Sequence, residues 1–94
     1  MAKVSVKGKS ESSEAFIFNV EVVEGDSKTV HTVEVDRSYY ERLTGGKVTP
    51  AELVEKSFSF LLGREPKESI LRRFNLEKIA YYFPEYEEDI KNYL

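Results

Sequence analysis

From Ala15 to Glu24 the residues Phe16, Phe18, Val20 and Val22 hold one parity, while Ile17, Asn19, Glu21 and Val23 hold the other. A period of two with one parity wholly apolar is the signature of a β-strand that buries a single face. Gly25-Asp26-Ser27-Lys28 supplies turn chemistry, and Thr29 to Val35 resumes β-branched alternation, so the two stretches read as an antiparallel hairpin. A hairpin alone is marginal in water, and its apolar face requires a cover from elsewhere in the chain. Upstream, Val4 and Val6 alternate with Lys and Ser, which allows a third short strand. The run Lys9-Ser10-Glu11-Ser12-Ser13-Glu14 has nothing to bury, so residues 1–14 are expected to be mobile or weakly ordered.

The cover is written into the second half. Asp36 can cap a short helix, Arg37 to Leu43, which Gly45-Gly46 stops. Thr49-Pro50-Ala51-Glu52 combines an N-cap threonine, a proline at the first helical position and a capping-box glutamate. The helix it opens should run to about Leu62, with Leu53, Val54, Phe58, Leu61 and Leu62 on one face, small Ser57 among them, and Gly63 at its end. Beyond Pro66 the spacing predicts a short helix from Lys67 to Arg73. Asn75 then caps a helix carrying Leu76, Ile79, Ala80 and Phe83, Pro84 interrupts it, and Tyr86, Ile90, Tyr93 and Leu94 continue an apolar stripe. Strands first and helices afterwards imply an α+β fold: an N-terminal antiparallel hairpin packed against three to five short C-terminal helices in one domain spanning residues 1–94. No internal repeat at solenoid or propeller period is present.

Composition removes several chemistries. With no cysteine there is no disulfide framework, thiolate metal site or cysteine nucleophile. No apolar run approaches the roughly 18 to 20 residues needed to cross a bilayer, and the N-terminal residues have no continuous apolar signal-peptide stretch, so the expected location is the cytoplasm, away from membranes. The single histidine, His31, falls within a predicted strand and is expected to serve the strand face. Gly45-Gly46-Lys47 resembles a phosphate loop only superficially, because Glu41 and Val48 stand where a glycine and a Ser or Thr are needed. No serine lies in a Gly-x-Ser-x-Gly elbow, and no spaced Asp/Glu loop resembles a calcium site. The expectation is a non-catalytic chain with no cofactor and no metal.

Binding surfaces are the remaining lead. A net charge of −3 disfavours nucleic acid, whose affinity comes largely from Lys and Arg displacing counterions. Arg64, Lys67, Arg72 and Arg73 crowd one connector, and Glu85, Glu87, Glu88 and Asp89 crowd the segment after it. The acids are expected in the first turn of the last helix, where they complement its dipole, with the bases neutralising them or lying in solvent; the alternative is that Arg64, Arg72 and Arg73 form an anion-facing patch. The six tyrosines include the adjacent pairs Tyr39-Tyr40 and Tyr81-Tyr82. Adjacent residues on a helix cannot both face one core fully, so one of each pair is expected at the surface, where tyrosine suits protein interfaces. Tyr39, Tyr40, Tyr81, Tyr82 and Tyr86 are the candidate partner contacts.

Two resemblances bear on these expectations. Thr32-Val33-Glu34-Val35, a short helix, Gly45-Gly46 and Thr49-Pro50-Ala51-Glu52-Leu53-Val54 leading to Leu61-Leu62 resemble a ribbon-helix-helix repressor, in which paired strands of a dimer enter the major groove. The strand differs in carrying Glu34 and Asp36, and a hairpin partner precedes it in the same chain. Residues 30–90 resemble small bacterial proteins of uncharacterised function through Tyr39-Tyr40-Glu41-Arg42-Leu43-Thr44-Gly45-Gly46, Ser57-Phe58-Ser59-Phe60-Leu61-Leu62, Arg64-Glu65-Pro66, Ser69-Ile70-Leu71 and Tyr82-Phe83-Pro84-Glu85-Tyr86. That resemblance implies a shared α+β fold and no particular activity. The expected function is a protein-interaction or regulatory module whose partner is a protein, another copy or a different chain. A DNA-binding regulator is the alternative, and a small-molecule-binding protein or enzyme the third.

Overall fold

In the computed structural model, which describes residues 2–94, the alternating segments pair as a meander. Strands β1 (Lys3–Glu11), β2 (Ala15–Glu24) and β3 (Ser27–Asp36) are antiparallel neighbours in the order β1-β2-β3-β4, where β4 (Arg73–Asn75) lies parallel to β3 at the far edge. The register matches apolar residues on one face: Phe16 opposite Val35, Phe18 opposite Val33, Val20 opposite His31, and, from β1, Val4 opposite Val22 and Val6 opposite Val20. Helices α1 (Arg37–Thr44), α2 (Pro50–Leu62), α3 (Lys78–Tyr82) and α4 (Tyr86–Asp89), with single 3-10 turns at Lys67–Ser69 and Ile90–Tyr93, complete the α+β architecture. The core lies between sheet and helices, with Val20, Val22, Val33, Val35, Leu53 and Phe58 fully buried.

Local chemistry sets the first two helices as expected. Gly45, at φ 64°, takes the left-handed position after α1 and donates to the Glu41 carbonyl. Thr49 accepts from the Glu52 amide while the Glu52 carboxylate accepts from the Thr49 amide, a complete capping box. Asp36 precedes α1 in an extended conformation but makes no side-chain cap; its carboxylate accepts from the Asn75 amide instead.

The hairpin turn is tighter than Gly25-Asp26-Ser27-Lys28. Ser27 already pairs with Glu24, so Gly25-Asp26 is the whole loop, and Gly25 supplies the one positive φ it needs.

The N-terminal segment departs further from expectation. Lys3–Glu11 form a full strand where only a short one was anticipated, and Ser12–Glu14 fold into a hydrogen-bonded turn. Burial plays little part there. Arg37 reaches back to the Ser12 carbonyl at 2.7 Å and the Glu11 carboxylate at 2.6 Å, with its guanidinium 4.1 Å over the Phe16 ring. Met1, the first residue of that stretch, lies outside the described residues.

The second departure lies at residues 67–75. The expected helix is one 3-10 turn, and the chain from Ile70 runs extended into β4. Three bonds from β3 and its flank impose this. The Thr32 amide donates to the Arg72 carbonyl, the Leu76 amide to the Glu34 carbonyl, and the His31 ring to the Leu71 carbonyl. Hydrogen-bonding groups on the β3 edge thus override the helical propensity of Lys67–Arg73. One consequence corrects the repressor resemblance: β3 is paired on both sides across Thr32–Glu34, so that stretch has no free edge to offer a second copy. The outer edge of β1 remains, carrying Lys3, Lys7 and Lys9 and a register shift between Gly8 and Ser10, charge and irregularity of the kind that discourage strand addition.

Candidate functional site

The extended segment after α2 leaves a gap between itself and α3. Apolar side chains of Leu61, Ile70, Leu71, Phe74, Ile79 and Phe83 line a groove of about 410 Å³ there. Its remaining lining comes from Glu65, Ser69, Lys78 and Tyr82. Adjacent residues of an extended chain point to opposite sides, which is why Ile70 is buried in the core while Leu71 stays 45% exposed at the lip. On the other flank of α3 a shallower depression is lined by Asp36, Asn75, Glu77, Lys78, Ala80, Tyr81 and Glu87. Tyr82, 57% exposed, belongs to the groove and Tyr81, 77% exposed, to the acidic depression, so α3 is a ridge between two concavities. The two rings meet edge to face at 5.6 Å, and the Lys78 ammonium lies 5.5 Å from the Tyr81 ring centre.

The candidate contacts therefore divide. Tyr81 and Tyr82 are exposed, but the expectation that one of Tyr39-Tyr40 would reach the surface fails, because both are buried. Short α1 is covered on two sides: Tyr40 meets the Phe16 ring edge-on at 6.1 Å and donates to the Val48 carbonyl, while Tyr39 donates to Glu87 at 2.9 Å from the opposite end of the chain. Burial, with the neighbouring Tyr86 and Glu87, holds the Tyr39 phenol well above its ordinary pKa. Tyr86 is fully buried beside Phe60, so it is a core residue and presents no face to a partner.

The arginine patch divides as well. Arg64 pairs with Glu85 at 3.1 Å and Asp89 at 2.9 Å and stacks over Phe60 at 3.6 Å, so its charge is committed within the fold. Arg72 and Arg73 are exposed, and among the described residues neither is ion-paired.

Two groups of the groove were missed by sequence reasoning. Glu65 follows the end of α2, and its carboxyl is pushed up by partial burial. Leu71 forms the lip; the pair Ile70-Leu71 followed by two arginines is the signal that could have exposed it, since an extended reading forces one of the two outward. Among the described residues no group of three His, Cys, Asp or Glu could hold a metal ion, and no helix is long and apolar enough to cross a membrane.

No protein-family model, curated protein or solved structure matches the chain. The chemistry of the groove is thus read from its own residues: an apolar trough with a carboxylate, an ammonium, an exposed phenol and a hydroxyl at its margin.

His31 supports the groove from beneath. It is fully buried, with Nδ1 2.8 Å from the Leu71 carbonyl and Nε2 2.9 Å from the Thr29 hydroxyl, and its ring lies 5.3 Å from that of Phe58. A carbonyl can only accept, so Nδ1 carries the proton and, in the neutral ring, Nε2 accepts from Thr29. Desolvation lowers its pKa, the Leu71 carbonyl opposes that shift, and Arg72 adds to it. A depressed histidine pKa means the unfolded chain takes up the proton first as pH falls. The stability present above pH ~6.5 is lost progressively down to the folded-state pKa, with a slope of at most about 1.4 kcal/mol per pH unit. Urea unfolding between pH 7 and 5 should show this decline, and His31→Gln should flatten it. A decline of equal slope in the variant would assign it to other groups.

Proposed function

We propose that the protein is a small non-catalytic interaction module that docks a segment of a partner protein in the groove between residues 70–74 and α3. The observation that supports this reading is the exposed Tyr82 ring beside an apolar trough lipped by exposed Leu71, in a domain whose Tyr39, Tyr40 and Tyr86 are all buried. Tyrosine offers large contact area at small entropic cost, and interfaces concentrate their energy in such residues. The groove has the volume of a site that takes one or two apolar side chains. A carboxylate at its margin and a net charge of −3 weigh against a polyphosphate occupant. A second copy joined through the β1 edge is a less suited partner, because that edge carries three lysines.

The test is capture of partners by the tagged full chain at low salt after nuclease treatment, run in parallel with Tyr82→Ala and Leu71→Asp. A stoichiometric protein should be retained by the parent chain and weakened tenfold or more by either substitution, the effect of losing an interface hot spot of about 2 kcal/mol. Both variants should unfold at nearly the parent temperature, since each alters an exposed side chain. Equal retention by all three chains would move the interface elsewhere. Recovery of nuclease-sensitive nucleic acid alone would support the DNA-binding alternative, and recovery of neither would point to a small ligand.

A further inference from the structure

The cations nearest Glu65 along the chain are already engaged. Arg64 is held by Glu85 and Asp89. Lys67, only 3% exposed, is held by Glu68 at 2.6 Å and Glu24 at 3.6 Å. Lys78 lines the same groove, but its ammonium lies over the face of the Tyr81 ring. Among the described residues no ion pair reaches the Glu65 carboxylate. Partial desolvation disfavours its charge, as it does for any carboxylate set against apolar walls. Across the α3 ridge the sign repeats, with Asp36, Glu77 and Glu87 around the second depression. Glu77 and Glu87 there share one exposed cation, Arg42, at 3.6 and 3.7 Å.

Resting on the groove as the docking surface, we propose that its occupant is cationic: a segment that places an apolar side chain in the trough and a lysine or arginine head on Glu65. Charge complementarity carries this. An approaching ammonium or guanidinium supplies the ion pair that Glu65 lacks among the described residues, and its aliphatic stem covers apolar wall as it does so. An anionic occupant would bring a like charge to the Glu65 carboxylate, and a neutral one would leave that carboxylate without an ion pair.

The test uses the isotope-labelled full chain and three probes of equal length: n-hexylammonium, 1-hexanol and hexanoate, each titrated by amide chemical shift. Hexylammonium should bind about tenfold more tightly than hexanol, the factor of one charge-assisted hydrogen bond, with shifts centred on Glu65, Leu71 and Ile79. Hexanoate should bind most weakly. In Glu65→Gln the ammonium should fall to the affinity of the alcohol while the alcohol is unchanged, and in Glu65→Lys the preference should pass to hexanoate. An ammonium-to-alcohol ratio unaffected by Glu65→Gln would overturn the charge assignment while leaving the groove as a docking surface. Failure of all three probes to shift groove amides would overturn the groove itself, and with it the function proposed above.

Discussion

Phe58→Ala is expected to remove about 3–5 kcal/mol of stability, a large share of the roughly 5–15 kcal/mol that holds a domain folded. Phe58 is fully buried on α2, and its ring meets His31 of β3 at 5.3 Å and Phe74 of β4 at 6.1 Å. It thus ties the central helix to the interior strand and to the short edge strand. The surrounding backbone is held by sheet and helix hydrogen bonds and cannot collapse into the space, so the loss includes a cavity as well as transfer free energy. Thermal unfolding should move down by about 12 °C or more, on a scale of roughly 4–8 °C per kcal/mol for a 60–100-residue domain. A shift under about 5 °C would mean that the core rearranges around the vacancy and that Phe58 is not its centre.

The second prediction turns on an asymmetry. Ser57 lies fully buried on α2 and donates to the Leu53 carbonyl at 2.7 Å, so its single proton is spent there. The phenol of Tyr86, 2.6 Å away, must therefore donate to the Ser57 oxygen. Burial holds that phenol above its ordinary pKa, which keeps the proton in place across the working range. In Tyr86→Phe the serine keeps its bond to Leu53 and loses one acceptor contact, at a cost of about 1 kcal/mol. In Ser57→Ala the phenol is stranded in the core without a partner, at about 1–3 kcal/mol plus a small void. The serine variant should be the less stable of the two. The double variant should recover part of its deficit, because removing both partners leaves nothing unsatisfied. Equal losses in the two single variants would show that the proton is shared differently.

The parts of the fold legible in the sequence are those whose signals are local. Gly45 ends α1, Thr49-Pro50 opens α2 and Gly63 closes it, each through chemistry within a turn of the residue concerned. The β2–β3 hairpin is legible for the same reason, since alternation and a two-residue turn lie in one continuous stretch. Strand β4 was illegible because Arg73-Phe74-Asn75 is too short to alternate, and what makes it a strand is the β3 edge some forty residues earlier. The β1–β2 turn failed likewise: polar Ser12–Glu14 are ordered by Arg37, which no local pattern links to them.

At the candidate site, one ring of the Tyr81-Tyr82 pair is expected at the surface and both are exposed, because α3 has no second layer over it. Tyr39-Tyr40 could not be told apart from it, because the cover over Tyr39 arrives from Glu87 at the far end of the chain. Arg64 meets the acids of the later segment, as the neutralising reading expects, with its partners 21 and 25 residues away.

The wall of the groove is closed across a long span. His31 and Leu71 meet 40 residues apart, whereas β2 and β3 meet across a two-residue turn. Long closures carry a larger entropic cost, and a three-residue strand, a few flanking bonds and the packing of Ile70 and Phe74 offset it here. Segment 70–75 is accordingly expected to open before the meander does, a sub-global opening below the global unfolding free energy. A groove wall of this kind makes occupancy and closure one equilibrium. Whatever seats against Leu71 also latches the edge strand, so a bound segment should slow amide exchange at Thr32 and Leu76, whose protons are held across that closure.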